Sequence, residues 1–156
     1  MTLTTHAIVG GAIVKIIPRH PLLGVLLAFF SHFALDAIPH WEYRLDSYDY
    51  NEKNPLESKL HLNKKFFFDL IKIGTDGILG LALTVFIFSP PPFWIALGAA
   101  SAMLPDFLQF LYLTTRKEPF TSLQRFQHYC HSRKEIKNIF LGVAFQIVII
   151  ILAVII

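Results

Sequence analysis

Apolar residues concentrate in five stretches of the chain, which lie at about 4–17, 21–38, 66–88, 92–114 and 138–156. An α-helix needs roughly 20 such residues to cross a bilayer, and all but the first stretch come close to that length. The first is short and carries Lys15, so its full crossing is left open. Proline separates neighbouring stretches, since Pro18 follows the first and three prolines at 90–92 follow the third. The pattern predicts an all-α integral membrane protein with about five membrane helices in one domain, 1–156.

Two polar connections interrupt this pattern, and they lie at 40–65 and 115–137. The first is mixed in sign and contains one tryptophan and three tyrosines, which suit a membrane–water interface. In the second, three apolar side chains recur at helical spacing, namely Phe120, Leu123 and Phe126. This spacing predicts a short interfacial helix near 120–131 that lies on the membrane surface.

The basic residues predict an orientation. Five Lys and Arg residues lie in 40–65 and six in 115–137, and five crossings would place both connections on the same face as the N-terminus. Only Lys15 and Arg19 lie towards the other face. Because short loops rich in Lys and Arg stay in the cytoplasm, we expect a multi-pass protein of the inner membrane with a cytoplasmic N-terminus and an outer C-terminus.

Composition and charge narrow the class of protein further. Hydrophobic residues make up 54% of the chain and charged residues only 16%, which excludes an ordinary soluble domain. The net charge of +3 does not indicate a nucleic-acid partner, because the basic residues flank membrane segments. Cys130 is the only cysteine, which excludes an internal disulfide and a cysteine-based zinc cluster.

The first residues lack the basic region of a signal peptide, so we expect no cleavable leader. A second copy of the chain as a partner is left open.

A shift of 70 residues aligns two parts of the chain without a gap, about 1–40 with 71–110. The matched pairs include Thr5 with Thr75, Gly10 with Gly80, Pro21 with Pro91 and Asp36 with Asp106. Membrane folds built from duplicated units often hold their functional site between the units. We therefore expect two duplicated helical hairpins followed by a C-terminal helix. Chance similarity between two apolar hairpins is the alternative.

Ionisable residues inside the apolar stretches are the main indication of function, because a charge near the bilayer centre costs at least about 2.5–3.5 kcal/mol. Asp69 has a local partner in Lys72, three residues further along the same helix. The other residues of this kind are His6, His32, Asp36, Asp76 and Asp106. In the predicted orientation all of them lie in the cytoplasmic half of the membrane, with Asp76 about 15 Å along its helix. We expect one cluster, with close helix contact at Gly10, Gly11 and Gly80.

The residue types in this cluster favour metal binding. His32, Asp36 and His40 follow in steps of four, which keeps side chains on one helix face, although Pro39 places His40 just past the helix end. Imidazole and carboxylate donors without thiolate suit a divalent metal, zinc or manganese. The predicted ligands are His6, His32, Asp36, Asp76, Asp106 and His131, with His40 and His128 as further candidates.

Each predicted ligand also has a purely structural interpretation. His32 and Asp36 could form a hydrogen-bonded pair within one helix, and His6 could be an interfacial histidine. Asp76 and Asp106 could be neutral buried acids bonded to carbonyl groups. Solvated loop residues are the alternative for His128 and His131, and two further histidines are interpreted as surface residues, His20 and His61.

Three short motifs resemble those of a group of bacterial membrane-bound metal-dependent hydrolases. They are His6-x3-Gly10, Leu104-Pro105-Asp106 and His131-Ser132. The stretch 31–40 is also similar to the H-x3-D element of zinc-dependent phospholipase C-like proteins. The chain departs from the group at Leu108, where the fuller motif has a second acid, and at 126–132, where FQHYCHS stands for H-R-G-x-T-H-S. The resemblance implies a hydrolase.

The leading interpretation is therefore a hydrolase of the cytoplasmic membrane that acts, with one or two metals, on a phosphate or ester group of a lipid-like substrate at the inner leaflet. Asp76 is the predicted general base because it lies deepest. Arg125 and Arg133 would hold a substrate phosphate, although the positive-inside rule alone also explains such charges. The rival is a transporter or ion-binding subunit that uses the same cluster, and a third reading is a structural subunit whose polar residues join helices.

Overall fold

The computed structural model describes residues 1–51, 53–88 and 90–156. Within these ranges the helices are α1 Leu3–Ile16, α2 Pro21–Asp36, α3 Lys64–Phe88, α4 Pro92–Thr115, α5 Phe120–Cys130 and α6 Ile139–Ile155. Their bounds lie within two residues of the predicted stretches, and α5 coincides with the predicted short helix. The all-α prediction is confirmed. The connection after α2 adds a two-stranded antiparallel ribbon, with β1 Tyr48–Asp49 and β2 Lys59–Leu60, and a 3-10 turn at Pro55–Glu57.

Local sequence explains where several helices begin. Pro21 and Pro92 are the first residues of α2 and α4, where the missing N–H of proline costs nothing. Asn138 caps α6, since its side-chain oxygen accepts from the backbone N–H of Leu141 at 3.1 Å. The start of α1 has no such cap from its own N-cap residue, Thr2. Its free N–H groups bond to side chains of other helices, as described below.

Helix α1 is the central element and packs against α2, α3, α4 and α6. Small residues allow this close packing. A Cβ atom on Gly10 would lie 2.6 Å from the carbonyl oxygen of Gly98, and one on Gly80 would lie 2.7 Å from Cα of Thr4. A Cβ atom on Gly11 would likewise clash with the side chain of Thr84. The predicted close contacts at Gly10, Gly11 and Gly80 are confirmed.

Buried polar side chains share the interior with an apolar core, and much of the surface is apolar. His6, His32 and Thr84 are 0% exposed, as is Ile95 of the core. Many large apolar side chains lie on the outside, for example Phe140 at 84% exposed. Exposed apolar surface on this scale marks contact with lipid or with another apolar partner.

Two helices are long and apolar enough to cross a membrane, α3 with 25 residues and α4 with 24. The other apolar helices have 14, 16 and 17 residues, so they are about 21–26 Å long, shorter than a hydrocarbon core of about 30 Å. Helix α1 begins beside Asp76, twelve residues and about 18 Å into α3. By length the structure therefore supports two crossings, whereas the sequence predicts about five.

Candidate metal centre

A histidine–carboxylate triad lies where the start of α1 meets the end of α2. The Asp36 carboxylate is 3.2 Å from Nε2 of His6 through Oδ1 and 3.2 Å from Nε2 of His32 through Oδ2. The two imidazole rings stack with their centroids 4.1 Å apart. His6 and His32 are 0% exposed and Asp36 is 3% exposed. One ligand atom of each residue lies within 4.8 Å of the other two, a spacing that one metal ion can bridge.

Three of the four ring nitrogens of this triad lack ordinary hydrogen-bond partners. Although His6 Nε2 is close to Asp36, neither nitrogen of His6 has a hydrogen bond to any residue that the structure describes. The same holds for Nε2 of His32, over the same part of the chain. Buried polar atoms are nearly always hydrogen-bonded, and leaving one unpaired costs about 1–3 kcal/mol. A ligand that accepts electron pairs from these nitrogens would remove that cost.

The orientation of His32 is also that of a metal ligand. Its Nδ1 lies 2.9 Å from the carbonyl oxygen of Ala102 on α4, and a carbonyl only accepts, so Nδ1 carries the proton. Nε2 faces Asp36 and also Asp106, whose Oδ1 is 3.7 Å away, and in the neutral ring its lone pair would be free to bind a metal. Metal-binding histidines characteristically donate their other N–H to a carbonyl or carboxylate.

A second group of side chains continues the site towards the polar connections. His40 and His131 lie with their ring centroids 5.1 Å apart, and Nε2 of each is close to the same Glu42 oxygen, at 2.7 Å and 3.1 Å. Asp36 Oδ1 is 3.8 Å from Nε2 of His40, so Asp36 belongs to both groups. The ligand atoms of Asp36, His40 and His131 also lie within 4.8 Å of one another.

Backbone hydrogen bonds bring this second group together from distant parts of the sequence. The N–H of Ser132 donates to the carbonyl oxygen of Asp36 at 2.7 Å, and the N–H of Ile136 donates to that of His40 at 3.0 Å. The segment after α5 therefore runs beside the segment after α2. His40 reaches the site from beyond the end of α2, where the sequence places it, and His131 joins it from the other polar connection.

Cationic groups surround the carboxylates of the second group. The amino group of Met1 is 2.9 Å from both Glu42 Oε1 and His40 Nε2, and 3.2 Å from Asp36 Oδ1. Desolvation alone would raise the pKa of Glu42, but hydrogen bonds from His131 and His40 outweigh it and hold that pKa far below its ordinary value. Burial lowers the pKa of His131, yet the bond to Glu42 and its negative charge raise it overall. The carboxylates of the second group therefore favour cationic partners.

Asp106 lies at the accessible edge of the site. Its side chain is 33% exposed, and its Oδ1 accepts a hydrogen bond from Nε2 of Gln127 at 3.4 Å. Gln127 belongs to α5, which packs on α2 through edge contact of Phe126 with Phe33. Helix α5 thus covers one side of the cluster and positions Asp106.

The structure does not bring Asp76 into the cluster. Its Oδ2 accepts from the N–H of Leu3 at 2.7 Å, and its Oδ1 accepts from the N–H and hydroxyl of Thr4 at 3.2 Å and 2.6 Å. Tyr43 donates to Oδ2 at 3.4 Å. Asp76 therefore caps α1 from α3, and both of its oxygens are already engaged by donors.

Other predicted residues lie outside the two groups of ligands. Nδ1 of His128 is 2.8 Å from the hydroxyl of Tyr50, and Arg125 and Arg133 are exposed. Asp69 pairs with Lys72 at 3.1 Å, which confirms the local interpretation of that acid. His20 and His61 are exposed, as predicted.

Sequence reasoning missed three polar residues that matter to the site. Glu42 lies in a connection of mixed charge, where nothing distinguishes it from neighbouring acids. Gln127 contacts Asp106 only because α5 folds back onto α2 and α4. Gln146 was detectable from the sequence, since it is the one polar side chain in α6, Ile139–Ile155. Its oxygen accepts from the backbone N–H of Thr2 at 3.1 Å, and its nitrogen donates to the carbonyl of Trp41 at 2.9 Å.

No protein-family model, curated protein or solved structure matches this chain.

Proposed function

We propose that this protein is a metal-dependent hydrolase of the cytoplasmic membrane that cleaves a phosphate or ester group of a lipid-like substrate at the inner leaflet. The observation that carries the proposal is the triad of His6, His32 and Asp36, in which three of the four buried imidazole nitrogens have no hydrogen-bond partner among the described residues. A buried histidine with a purely structural role would be expected to bond to a carbonyl or hydroxyl group through at least one nitrogen. His6 makes no such bond to any described residue.

The chemistry follows from the donors. His6, His32 and Asp36 would hold a zinc or manganese ion, which would supply Lewis acidity and lower the pKa of a water molecule to about 7. Asp106 is the carboxylate best suited to accept a proton as general base, because it borders the triad and is one-third exposed. We assign this role to Asp106 instead of Asp76, whose oxygens cap α1. Gln127 orients Asp106 by its hydrogen bond.

Membrane placement rests on the apolar exterior and on α3 and α4, which are long enough to cross. We propose that α1, α2 and α6 are embedded beside them as three further membrane segments, with the N-terminus in the cytoplasm. The start of α1 and the end of α2 meet at the site, which suits a cluster reached from one face. Arg125 and Arg133, which are exposed in and just after α5, would attract a phosphate headgroup.

An ion-binding or transport subunit is the second candidate, and the complete burial of His6 and His32 favours it. A conduction path needs ionisable groups through the full depth of the membrane. Among the described residues of α3 beyond Asp76, and of α4 before Asp106, no Asp, Glu, Lys, Arg or His occurs. A site confined to one end of the bundle is better explained by catalysis at a surface.

The test combines metal content with turnover. Purified protein in detergent is expected to contain zinc or manganese and to hydrolyse a phosphate-ester or acyl-ester lipid analogue, with activity lost on chelation and restored by the metal. His32→Asn should lose metal and activity, whereas the matched control His61→Asn, at an exposed histidine, should retain both. Metal without turnover across such analogues would favour the ion-binding candidate, and wild-type protein without metal would refute both.

A further inference from the structure

The second group of ligands lies directly beside the first and has a complete donor set of its own. It comprises Asp36, His40, Glu42 and His131. Of these four residues, the single-metal site proposed above uses only Asp36. We propose that these four residues hold a second divalent cation, with the Asp36 carboxylate bridging the two ions. This inference rests on the proposed metal centre at His6, His32 and Asp36.

The rings of His40 and His131 are oriented in the way that metal-binding histidines are. Nδ1 of His40 is 2.7 Å from the carbonyl oxygen of Ile38, and Nδ1 of His131 is 2.9 Å from that of Ser132. Each Nδ1 therefore carries a proton, and each Nε2 is directed at Glu42 Oε1. A metal-binding imidazole is held by a second acceptor in the same manner. His32 has this arrangement too, so all three rings present Nε2 to the carboxylates.

The positions of the two nitrogens also favour one shared ion. The rings of His40 and His131 lie with their centroids 5.1 Å apart, and both direct Nε2 at the same Glu42 oxygen. A single divalent ion would take both nitrogens and that oxygen as ligands. The amino group of Met1 lies among Asp36, His40 and Glu42, and the ion would replace this cationic group there.

Asp36 provides the bridge. Its Oδ2 faces His32, and its Oδ1 faces His6 on one side and His40 on the other. Paired metals about 3.5–4 Å apart stabilise both the attacking and the leaving oxygen of an in-line displacement. Two divalent ions against the carboxylates of Asp36, Glu42 and Asp106 leave a net positive charge. The substrate class that such a pair favours is a phosphate ester.

The experiment counts manganese ions in the full chain purified in detergent, with any affinity tag removed from the C-terminal end. Wild-type protein loaded with Mn²⁺ should bind two ions per chain by elemental analysis and give the electron paramagnetic resonance spectrum of a coupled pair. Glu42→Gln and His131→Asn should bind one ion and give the spectrum of an isolated ion. Glu135→Gln, at an exposed acid in the same segment as His131, should bind two.

The outcomes separate this inference from the proposed function. One ion per wild-type chain, unchanged by Glu42→Gln, would overturn the second site and leave the first standing. No ion in the wild type would overturn both. Glu42 is 46% exposed, so its conservative replacement should fold, as checked by size-exclusion chromatography. If the variants aggregate, the wild-type count and its spectrum still decide between one ion and a coupled pair.

Discussion

The Asp36 carboxylate lies between two groups of histidines, with His6 and His32 on one side and His40 and His131 on the other. At the scale of single residues, the difference between Asp36 and Asp76 is instructive. Both are acids in apolar stretches, yet only Asp36 lies within 3.2 Å of imidazole nitrogens. The oxygens of Asp76 are taken up by backbone N–H groups and a hydroxyl. Asp76 has the deeper predicted position of the two, so depth in the membrane does not identify the members of the cluster.

Replacement of Asp76 tests this assignment. Asp76→Ala removes the acceptor for the first N–H groups of α1 and should destabilise the protein by about 0.5–2 kcal/mol, the usual cost of losing a helix cap. Thermal unfolding in detergent measures this change, and the folded variant should keep the metal content of the wild type. A stable variant that has lost turnover with its metal in place would instead make Asp76 the base that the sequence suggested.

At the scale of helices, the start of α1 is held by two neighbours. Asp76 of α3 accepts from Leu3 and Thr4, and Gln146 of α6 accepts from the N–H and hydroxyl of Thr2. Helix α1 therefore receives its caps from other helices. This arrangement fixes the position of His6, which lies one turn further along α1. The short apolar helices depend on such polar contacts, because apolar surface gives no driving force between helices in lipid.

Gln146→Leu should release α6 from α1. The substitution leaves the N–H of Thr2 and the carbonyl of Trp41 without their partner, at a cost of about 1–3 kcal/mol for buried groups. We expect a lower unfolding temperature and faster proteolysis of the connection before α6. Ile147→Leu, at the neighbouring half-exposed position, is the control. An unchanged unfolding temperature for Gln146→Leu would show that α6 is held mainly by apolar packing.

The helices could be predicted from the sequence, whereas the residues of the site could be predicted only in part. Proline positions and apolar length place the helix ends within two residues, since both signals are local. The pairing of His32 with Asp36 follows from their spacing of four. The place of Glu42 depends on the path of the connection after α2, which is set by backbone bonds from Ser132 and Ile136. No local pattern encodes contacts between residues about 90 positions apart.

At the scale of the whole molecule, buried polar side chains lie beside an apolar core under a largely apolar surface, and the triad lies where the start of α1 meets the end of α2. The proposed orientation places these two helix ends towards the cytoplasm. Reporter fusions test it: a reporter after Ile156 should respond as external, and one inserted near Lys117 should respond as cytoplasmic. A cytoplasmic response at Ile156 would mean an even number of crossings, so that at least one of the short helices does not cross.

Elemental analysis of purified Asp36→Asn beside Asp69→Asn tests whether the buried histidines and Asp36 hold a divalent metal. Both acids are buried in helices, at 3% and 2% exposed, and of the two only Asp36 contacts the histidines. We expect stoichiometric zinc or manganese in wild-type protein and in Asp69→Asn, and none in Asp36→Asn. Equal metal content in both variants, or no metal in the wild type, would show that these residues do not hold a metal.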